Sequence, residues 1–564
     1  MNYRQEIIKI LEKETKLNEK EIEALLEKPP SLEFGDFAFP CFVLSKKLKK
    51  APHLIAEELL KKIKPNNKIS KIEVKGPYLN FFINKKLWNK EVIEKVLKEG
   101  ENYGKGKKKK EKIMIEYPAP NTNKPLHLGH VRNMLLGKSL ANILESQGYK
   151  IIHVNLNNDR GIHICKSMLA YKKWGKNKQP NKKSDRFVGD FYVLYTKKAK
   201  KDEKLEIEAY DMLKKWEEGD KETRALWKKM NSWAMKGFNE TYKKFGIKFD
   251  KTYNESEHYE KAKDIVLEAY KKRKLKKDEQ ENIIVELERY GLPNKILLRA
   301  DKTAVYMTQD INLAKLKYDD FKMDRSIHVV GSEQNLHFKQ LFRILKIIGF
   351  KNTEGLHHLS YGMIYLPEGK MKSREGSVVD ADDLIDEIIS MAKKEVKKRH
   401  KLSNEELEKR SKQIGFGALK FFILKYEPAK DFVFNPKESI SFEGETGPYI
   451  QYAHARISSI LDKSKDKPIG VDYSKLNSKE EQLLISKLAE YPKKVEEASN
   501  NYKPSLVSRY LLELAQNFNE FYHEHPILRT EPTLRGARIA LILAIKRVLK
   551  NGLALLGIEA PEKM

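Results

Sequence analysis

Two short stretches hold the residue types best suited to chemistry. His127-Leu-Gly-His130 sets two imidazoles three residues apart, and Gly369-Lys-Met-Lys-Ser-Arg-Glu-Gly376 puts Lys370, Lys372 and Arg374 in a loop bounded by glycines. Imidazole N–H groups and swinging cations are donors suited to phosphate oxygens. Gly129 leaves room for close approach of a ligand, or is merely a helix-entry glycine. Taken singly, such a histidine pair is more often one structural and one surface residue, or half a metal site. A lysine loop by itself is more often solvated surface. The two together, on elements that place them near one another, carry more weight than either.

Those elements can be read from the pattern. Ile113, Met114 and Ile115 suit a buried strand, and Pro118, Pro120 and Pro125 forbid an early helix. Leu136, Leu140, Ile143 and Leu144 then repeat at helical spacing up to a stop at Gly148, and a second strand follows over 151–155. This is a βαβ unit whose turn carries both histidines at a helix start. Free backbone N–H groups and the helix dipole there are expected to favour phosphate.

The rest of the chain divides into three regions. Residues 1–105 read as a small α+β module: helix around Ile7, Ile8 and Leu11, a loop over 29–40, helix over 54–63, and strands over 72–74 and 79–83. The run Gly104-Lys-Gly-Lys-Lys-Lys-Lys110 reads as a solvated linker. Residues 106–400 read as an α/β domain on a Rossmann-type doubly wound parallel sheet, with a charged, aromatic-rich insertion at about 171–297 and strand character returning over 327–330. From 401 to 564 the pattern is helical throughout, an all-α bundle. Leu484, Leu488, Tyr491 and Val495 step by threes and fours, as do Leu511, Leu514, Phe518 and Phe521, and Ala537, Leu541, Ala544 and Val548.

Bulk composition narrows the class. The 564 residues carry 110 Lys plus Arg against 80 Asp plus Glu, a formal charge of +30. Nucleic acid is the first polyanionic partner to consider, with a lysine-rich, merely solvated surface as the alternative. Cys41 and Cys165 are too few for a disulfide framework or an all-cysteine zinc site, so a reducing compartment and no zinc are expected. No apolar run approaches the ~20 residues a bilayer requires, and the start lacks the apolar core of a signal peptide. A cytoplasmic monomer with no membrane partner is the expectation.

The pairing of histidine tetrapeptide and lysine loop resembles the two signatures of class I aminoacyl-tRNA synthetases. More specifically, the chain resembles the arginyl-tRNA synthetase family along nearly its whole length. The residues that carry the resemblance are Phe34-Gly-Asp-Phe-Ala38, Gly76-Pro-Tyr-Leu-Asn80, Asn158-Asp-Arg-Gly161, Tyr306-Met-Thr-Gln-Asp310, Gly331-Ser-Glu-Gln-Asn-Leu-His337, Gly447-Pro-Tyr-Ile-Gln-Tyr-Ala-His-Ala-Arg456 and the terminal Leu555-Leu-Gly-Ile-Glu-Ala-Pro-Glu-Lys-Met564. The lysine loop departs from the usual Lys-Met-Ser-Lys-Ser, since Ser373 stands where the second lysine belongs. In this family a lysine just before the histidines compensates, and Lys124 occupies that place.

The resemblance implies arginine, ATP with Mg²⁺, and tRNA(Arg) as reactants and partners. It assigns His127, His130, Lys124, Lys370 and Lys372 to catalysis, and His127, Gly129, His130, Lys370, Met371 and Lys372 to ATP. Glu116, Asn121, Tyr306, Asp310 and Gln334 are assigned to arginine, whose forked guanidinium needs carboxylates and neutral acceptors. Tyr449, Tyr452, Tyr522 and Met564 are assigned to tRNA, and residues 1–105 and 401–564 to tRNA-binding and anticodon-binding domains. Two rivals remain: another class I synthetase such as one for cysteine, for which two distant cysteines make a poor zinc site, and an RNA-binding paralogue that has lost catalysis.

Overall fold

The computed structural model describes residues 3–258, 262–301, 303–367, 379–399, 401–464 and 471–564. The lysine loop, with Lys370, Met371 and Lys372, lies outside the described residues. The chain forms two compact units, one of Met1–Tyr103, Ile457–Tyr491 and Gln516–Val548, the other of Gly104–Arg456, Pro492–Ala515 and Leu549–Met564.

The first unit contains an antiparallel sheet of β1 (Phe37–Pro40), β2 (Ile69–Lys75) and β3 (Tyr78–Ile83) in the order β1-β3-β2. Helices Tyr3–Thr15 and Pro52–Lys62 bury Ile7, Leu11, Ile55 and Leu59 against Phe39 and Phe81 of that sheet. The 29–40 stretch expected to be loop therefore ends in a strand. Its Phe-Ala-Phe-Pro sequence is too short to alternate visibly and takes its ladder from β3.

The second unit is built on five parallel strands, β4 (Lys112–Glu116), β5 (Lys150–Asn157), β6 (Lys251–Asn254), β10 (Arg325–Gly331) and β11 (Leu356–Tyr361), in the order β11-β10-β4-β5-β6. Numbered along the chain this is 5-4-1-2-3, the doubly wound order, with its switch point between β4 and β10. Met114, Ile152 and Val154 pack with Leu313 of helix Tyr306–Phe321 on one face. Helix Leu128–Ser146 packs against β4, β5 and β10. A side chain at Gly137 of that helix would run into the Tyr117 ring, so glycine sets how closely the helix lies on the strand end.

The range 171–297 is not one insertion, because it contains β6, paired in parallel with β5. Four helices, Ile162–Trp174, Ser184–Ala199, Lys204–Glu217 and Lys221–Phe245, form the crossover between those two strands. After β6 comes a separate antiparallel sheet of β7 (Lys276–Lys277), β8 (Ile283–Val285) and β9 (Lys295–Leu298). The polar Lys-Thr-Tyr-Asn of β6 hid it, since only one of its four side chains is buried at the sheet edge.

Among the described residues of 401–564 the regular elements are helices apart from β13 (Phe432–Val433), which pairs with β12 (Ile364–Tyr365). All twelve residues predicted from its helical spacing, from Leu484 to Val548, are buried. No helix among the described residues is long and apolar enough to cross a membrane.

Candidate functional site

Strand β4 delivers the chain to the switch point, and the turn that follows is tightly fastened. The Tyr117–Pro118 peptide is cis and Ala119 has a φ of 53°, a left-handed conformation. Asn158, just past β5, holds this turn. Its Nδ2 donates to Ala119 O at 3.1 Å, its N–H to Pro120 O at 3.0 Å, and its carbonyl accepts the Thr122 N–H at 3.2 Å. Asn121 and Lys124 sit on this turn and His127 closes it.

His127 is the N-cap of helix Leu128–Ser146 and makes a capping box with His130. The Gly129 N–H donates to His127 Nδ1 and the His127 N–H donates to His130 Nδ1, both at 3.1 Å. The Leu128 N–H is taken by Val379 O at 3.3 Å. This corrects the expectation of open backbone N–H groups for phosphate: the imidazoles and the 379–381 segment have used the first three. The consequence favours chemistry in another way. With each Nδ1 accepting, the proton of each neutral ring sits on Nε2, so both histidines offer an Nε2–H. Burial, then nearby Lys124, lowers the His127 pKa to about 3, and burial, then His127 and Lys124, drives His130 well below its ordinary value. Both rings are neutral donors at pH 7. Burial also lowers the Lys124 pKa.

A cavity of about 450 Å³ opens beside the same turn. Asn121, Tyr306, Asp310 and Gln334, four of the five residues assigned to arginine, line it together. Tyr306 is 77% exposed, and Asp310 Oδ2 lies 2.7 Å from His337 Nε2. The fifth, Glu116, does not line it. It is buried at the end of β4, ion-paired with the buried Lys317 and bonded to His328 Nδ1 at 3.1 Å across the β4–β10 register. Burial raises its pKa, but Lys317 and His328 outweigh that and hold it at about 2. A buried carboxylate needs such partners, and these occupy it.

The cavity also contains residues to which the sequence assigned no role: Arg160 and His337, which lie within the stretches that carry the family resemblance, and His163, Glu255 and His258, which lie outside them. Glu255 stands out because burial raises its pKa to about 7, with Arg160 opposing and Asp159 and Asp310 adding to the rise. Glu255 and Asp310 both line this cavity and repel one another through space, and two carboxylates facing one space suit a cation. The only sequence clue was its position just after the Asn of a polar edge strand. In the turn itself Thr122 Oγ1 and Asn123 Oδ1 are buried without a hydrogen-bond partner among the described residues.

The residues assigned to tRNA separate. Tyr449 and Tyr452 are half-buried in the second unit, with Tyr452 edge-on to Phe442 and under the Arg456 guanidinium at 4.7 Å. Tyr522 belongs to the first unit and is 39% exposed. Met564 is buried, so it presents no open stacking face.

Comparison with known proteins agrees along the chain. Residues 92–436 match the family described as "tRNA synthetases class I (R), catalytic domain", residues 450–564 "DALR anticodon binding domain", and residues 1–83 "Arginyl tRNA synthetase N terminal domain". The chain is 46% identical over 557 residues to the arginine–tRNA ligase of Treponema denticola, covering 96% of this chain and 94% of that protein. It is 44% identical over 565 residues to that of Bacteroides thetaiotaomicron, covering 94% of each. The solved arginyl-tRNA synthetase of Thermus thermophilus is similar over 100% of both chains, with a TM-score of 0.82 and 25% identity.

Proposed function

The chain belongs to the arginyl-tRNA synthetase family, and from that premise we propose how its residues divide the work. It is an arginine–tRNA ligase, a class I aminoacyl-tRNA synthetase. In this reading a carboxylate oxygen of L-arginine attacks the α-phosphorus of ATP, the bond to the bridging oxygen breaks, and pyrophosphate leaves. The 2′-hydroxyl of the 3′-terminal adenosine of tRNA(Arg) then attacks the arginyl carbonyl of the adenylate, the acyl–phosphate bond breaks, and AMP leaves.

The observation that carries this reading is that Asp310 and Glu255 line one cavity with Asn121, on the turn that leads to His127 and His130. The two carboxylates take the guanidinium fork, whose five N–H groups suit a pair of anionic acceptors. Tyr306 covers the aliphatic stem, while Asn121 and Gln334 serve its polar end. His127 and His130 donate Nε2–H to phosphate oxygens, with Lys124 adding charge, so donors fixed in advance meet the charge that grows on pyrophosphate. Glu116 shapes the switch point through Lys317 and His328. Lys370, Met371 and Lys372 keep the nucleotide role the family resemblance gives them.

Mg²⁺ fits as a companion of the triphosphate. No group of three or more potential metal-ligating side chains occurs among the described residues, and Mg²⁺ commonly binds through one or two carboxylates and substrate phosphates. Tyr449, Tyr452 and Tyr522 are candidates to stack on splayed loop bases of tRNA, while the buried Met564 serves packing. Residues 1–105, 106–400 and 401–564 serve as the tRNA-binding, catalytic and anticodon-binding regions. Buried free thiols at Cys41 and Cys165 suit a reducing cytoplasm, and the working unit is a monomer.

Charging of total tRNA by wild type, His130→Ala and Asp310→Ala, with each amino acid in turn, tests this reading. Arginine alone should be charged, and both variants should fail. Retained charging in both variants removes the site assignment.

A further inference from the structure

Strand β5 sets Asn155 and Asn157 two apart, on one face of the sheet, and the parallel register puts Asn254 of β6 directly beside Asn157. Their amides join end to end. The Ala119 N–H donates to Asn155 Oδ1 at 3.3 Å, and Asn155 Nδ2 donates to Asn157 Oδ1 at 2.9 Å. Asn157 Nδ2 donates to Asn254 Oδ1 at 3.1 Å, and Asn254 Nδ2 donates to Glu257 Oε1 at 2.8 Å. Every amide points the same way and the chain ends on a carboxylate, the arrangement in which successive hydrogen bonds polarise one another. Phe238 and Tyr242 of helix Lys221–Phe245 line, with the three asparagines, a second cavity of about 250 Å³. Asn254 belongs to the walls of both this cavity and the larger one.

Stability alone does not call for this ladder. Asn155 and Asn157 are only 2% and 5% exposed, and a buried amide is costly unless fully bonded, a cost an apolar pair at these positions avoids. What the ladder does supply is fixed spacing. One end holds Ala119, the left-handed residue two positions before Asn121, and the other holds Asn254, the neighbour of Glu255.

We propose that Asn155, Asn157 and Asn254 are positioning residues for arginine, a relay that sets the Asn121 turn and the Glu255 wall at the separation the amino acid requires. This rests on the arginine pocket assigned above. None of the three needs to touch the reacting atoms, and Asn155 and Asn157 do not line the larger cavity. Asn157 is the central link, since replacing it uncouples the two ends while leaving the Asn121, Asp310 and Glu255 side chains chemically unaltered.

The test is steady-state aminoacylation by the full-length enzyme with Asn157→Leu and the milder Asn157→Ser, beside Glu255→Gln. Displacing a substrate wall by a fraction of an ångström should raise KM for arginine about tenfold in Asn157→Leu, and less in Asn157→Ser, while KM for ATP and for tRNA stay within about twofold. Discrimination against citrulline, the neutral analogue, should fall in parallel. Arginine KM unchanged in both Asn157 variants, with Glu255→Gln raising it, overturns the relay and leaves the pocket standing. If Glu255→Gln also leaves it unchanged, the pocket assignment fails and the relay with it. A uniform loss across kcat and all three KM values marks a general packing defect and likewise overturns the proposal.

Discussion

Asp310 Oδ2 and His337 Nε2 lie 2.7 Å apart, so the carboxylate that we propose takes the guanidinium is held in place by this imidazole. The imidazole lies one turn beyond Gln334, on the helix Asn335–Ile348 that follows β10, and engages one of the two carboxylate oxygens. Replacing His337 with Ala should therefore raise arginine KM about tenfold by freeing the carboxylate, with ATP KM unaffected. Asp310→Asn should cost about a hundredfold or more in kcat/KM for arginine, because a charged fork loses its anion. Initial rates at varied arginine measure both, and equal kcat/KM in wild type and Asp310→Asn contradicts the assignment.

Arginine binding should depend on pH through Glu255. Its pKa of about 7 lies above the usual carboxylate range, so in the free enzyme the group is largely protonated at pH 6 and ionised at pH 8. A cationic guanidinium favours the ionised form, so affinity should strengthen as pH rises through 7 and level off above it. Calorimetry in two buffers of different ionisation enthalpy should show a proton released on binding at pH 6.5. In Glu255→Gln that release should vanish; its persistence assigns the proton elsewhere.

The two histidines should give no titration in the working range. With the His127 pKa at about 3 and His130 also far below its ordinary value, their ring charge is constant from pH 6 to 8. The sign for stability follows from the depressed values: burying them neutral carries no penalty above pH 6.5 and an increasing one as pH falls from there toward 3. Removing one preorganised donor, as in His130→Ala, should lower the rate of adenylate formation about 10²- to 10³-fold. Single-turnover rates across pH 6 to 8 check this, and an inflection that disappears in His127→Ala would show a titrating histidine.

How far the sequence carried varied with the kind of signal. β4 and its helix were legible because Ile113, Met114 and Ile115 are all apolar and Leu136, Leu140, Ile143 and Leu144 repeat at helical spacing. β6 was not, because an edge strand of Lys-Thr-Tyr-Asn has no apolar face to show. Asp310 and Tyr306 could be carried over by motif position. Glu255 reaches the cavity from the end of β6, a strand without an apolar face, and His337, although inside the stretch Gly331-Ser-Glu-Gln-Asn-Leu-His337, had no role until the fold set it against Asp310. The histidine cap was also illegible, since spacing shows two imidazoles but not that each Nδ1 turns back to a backbone N–H.

Glu116 makes a prediction about stability. Its carboxylate is ion-paired with Lys317, and both are buried, so Lys317→Met leaves a buried charge without its partner and should destabilise the enzyme by about 3–5 kcal/mol. With the Glu116 pKa held at about 2, the pair's contribution is complete above the ordinary carboxylate range and lost as pH falls from about 4.5 toward 2. Denaturant unfolding at pH 7 and at pH 4 should show the variant's deficit narrowing at the lower pH. A deficit that does not change with pH assigns the loss to packing instead.

The most direct test of the central claim is arginine charging of total tRNA by wild type and by Asp310→Asn combined with Glu255→Gln. Wild type should charge arginine and no other amino acid, and the double variant should lose at least about a hundredfold in kcat/KM for arginine while its KM for ATP is unchanged. Charging of a different amino acid by wild type, or arginine charging by the double variant at the wild-type rate, would contradict the account.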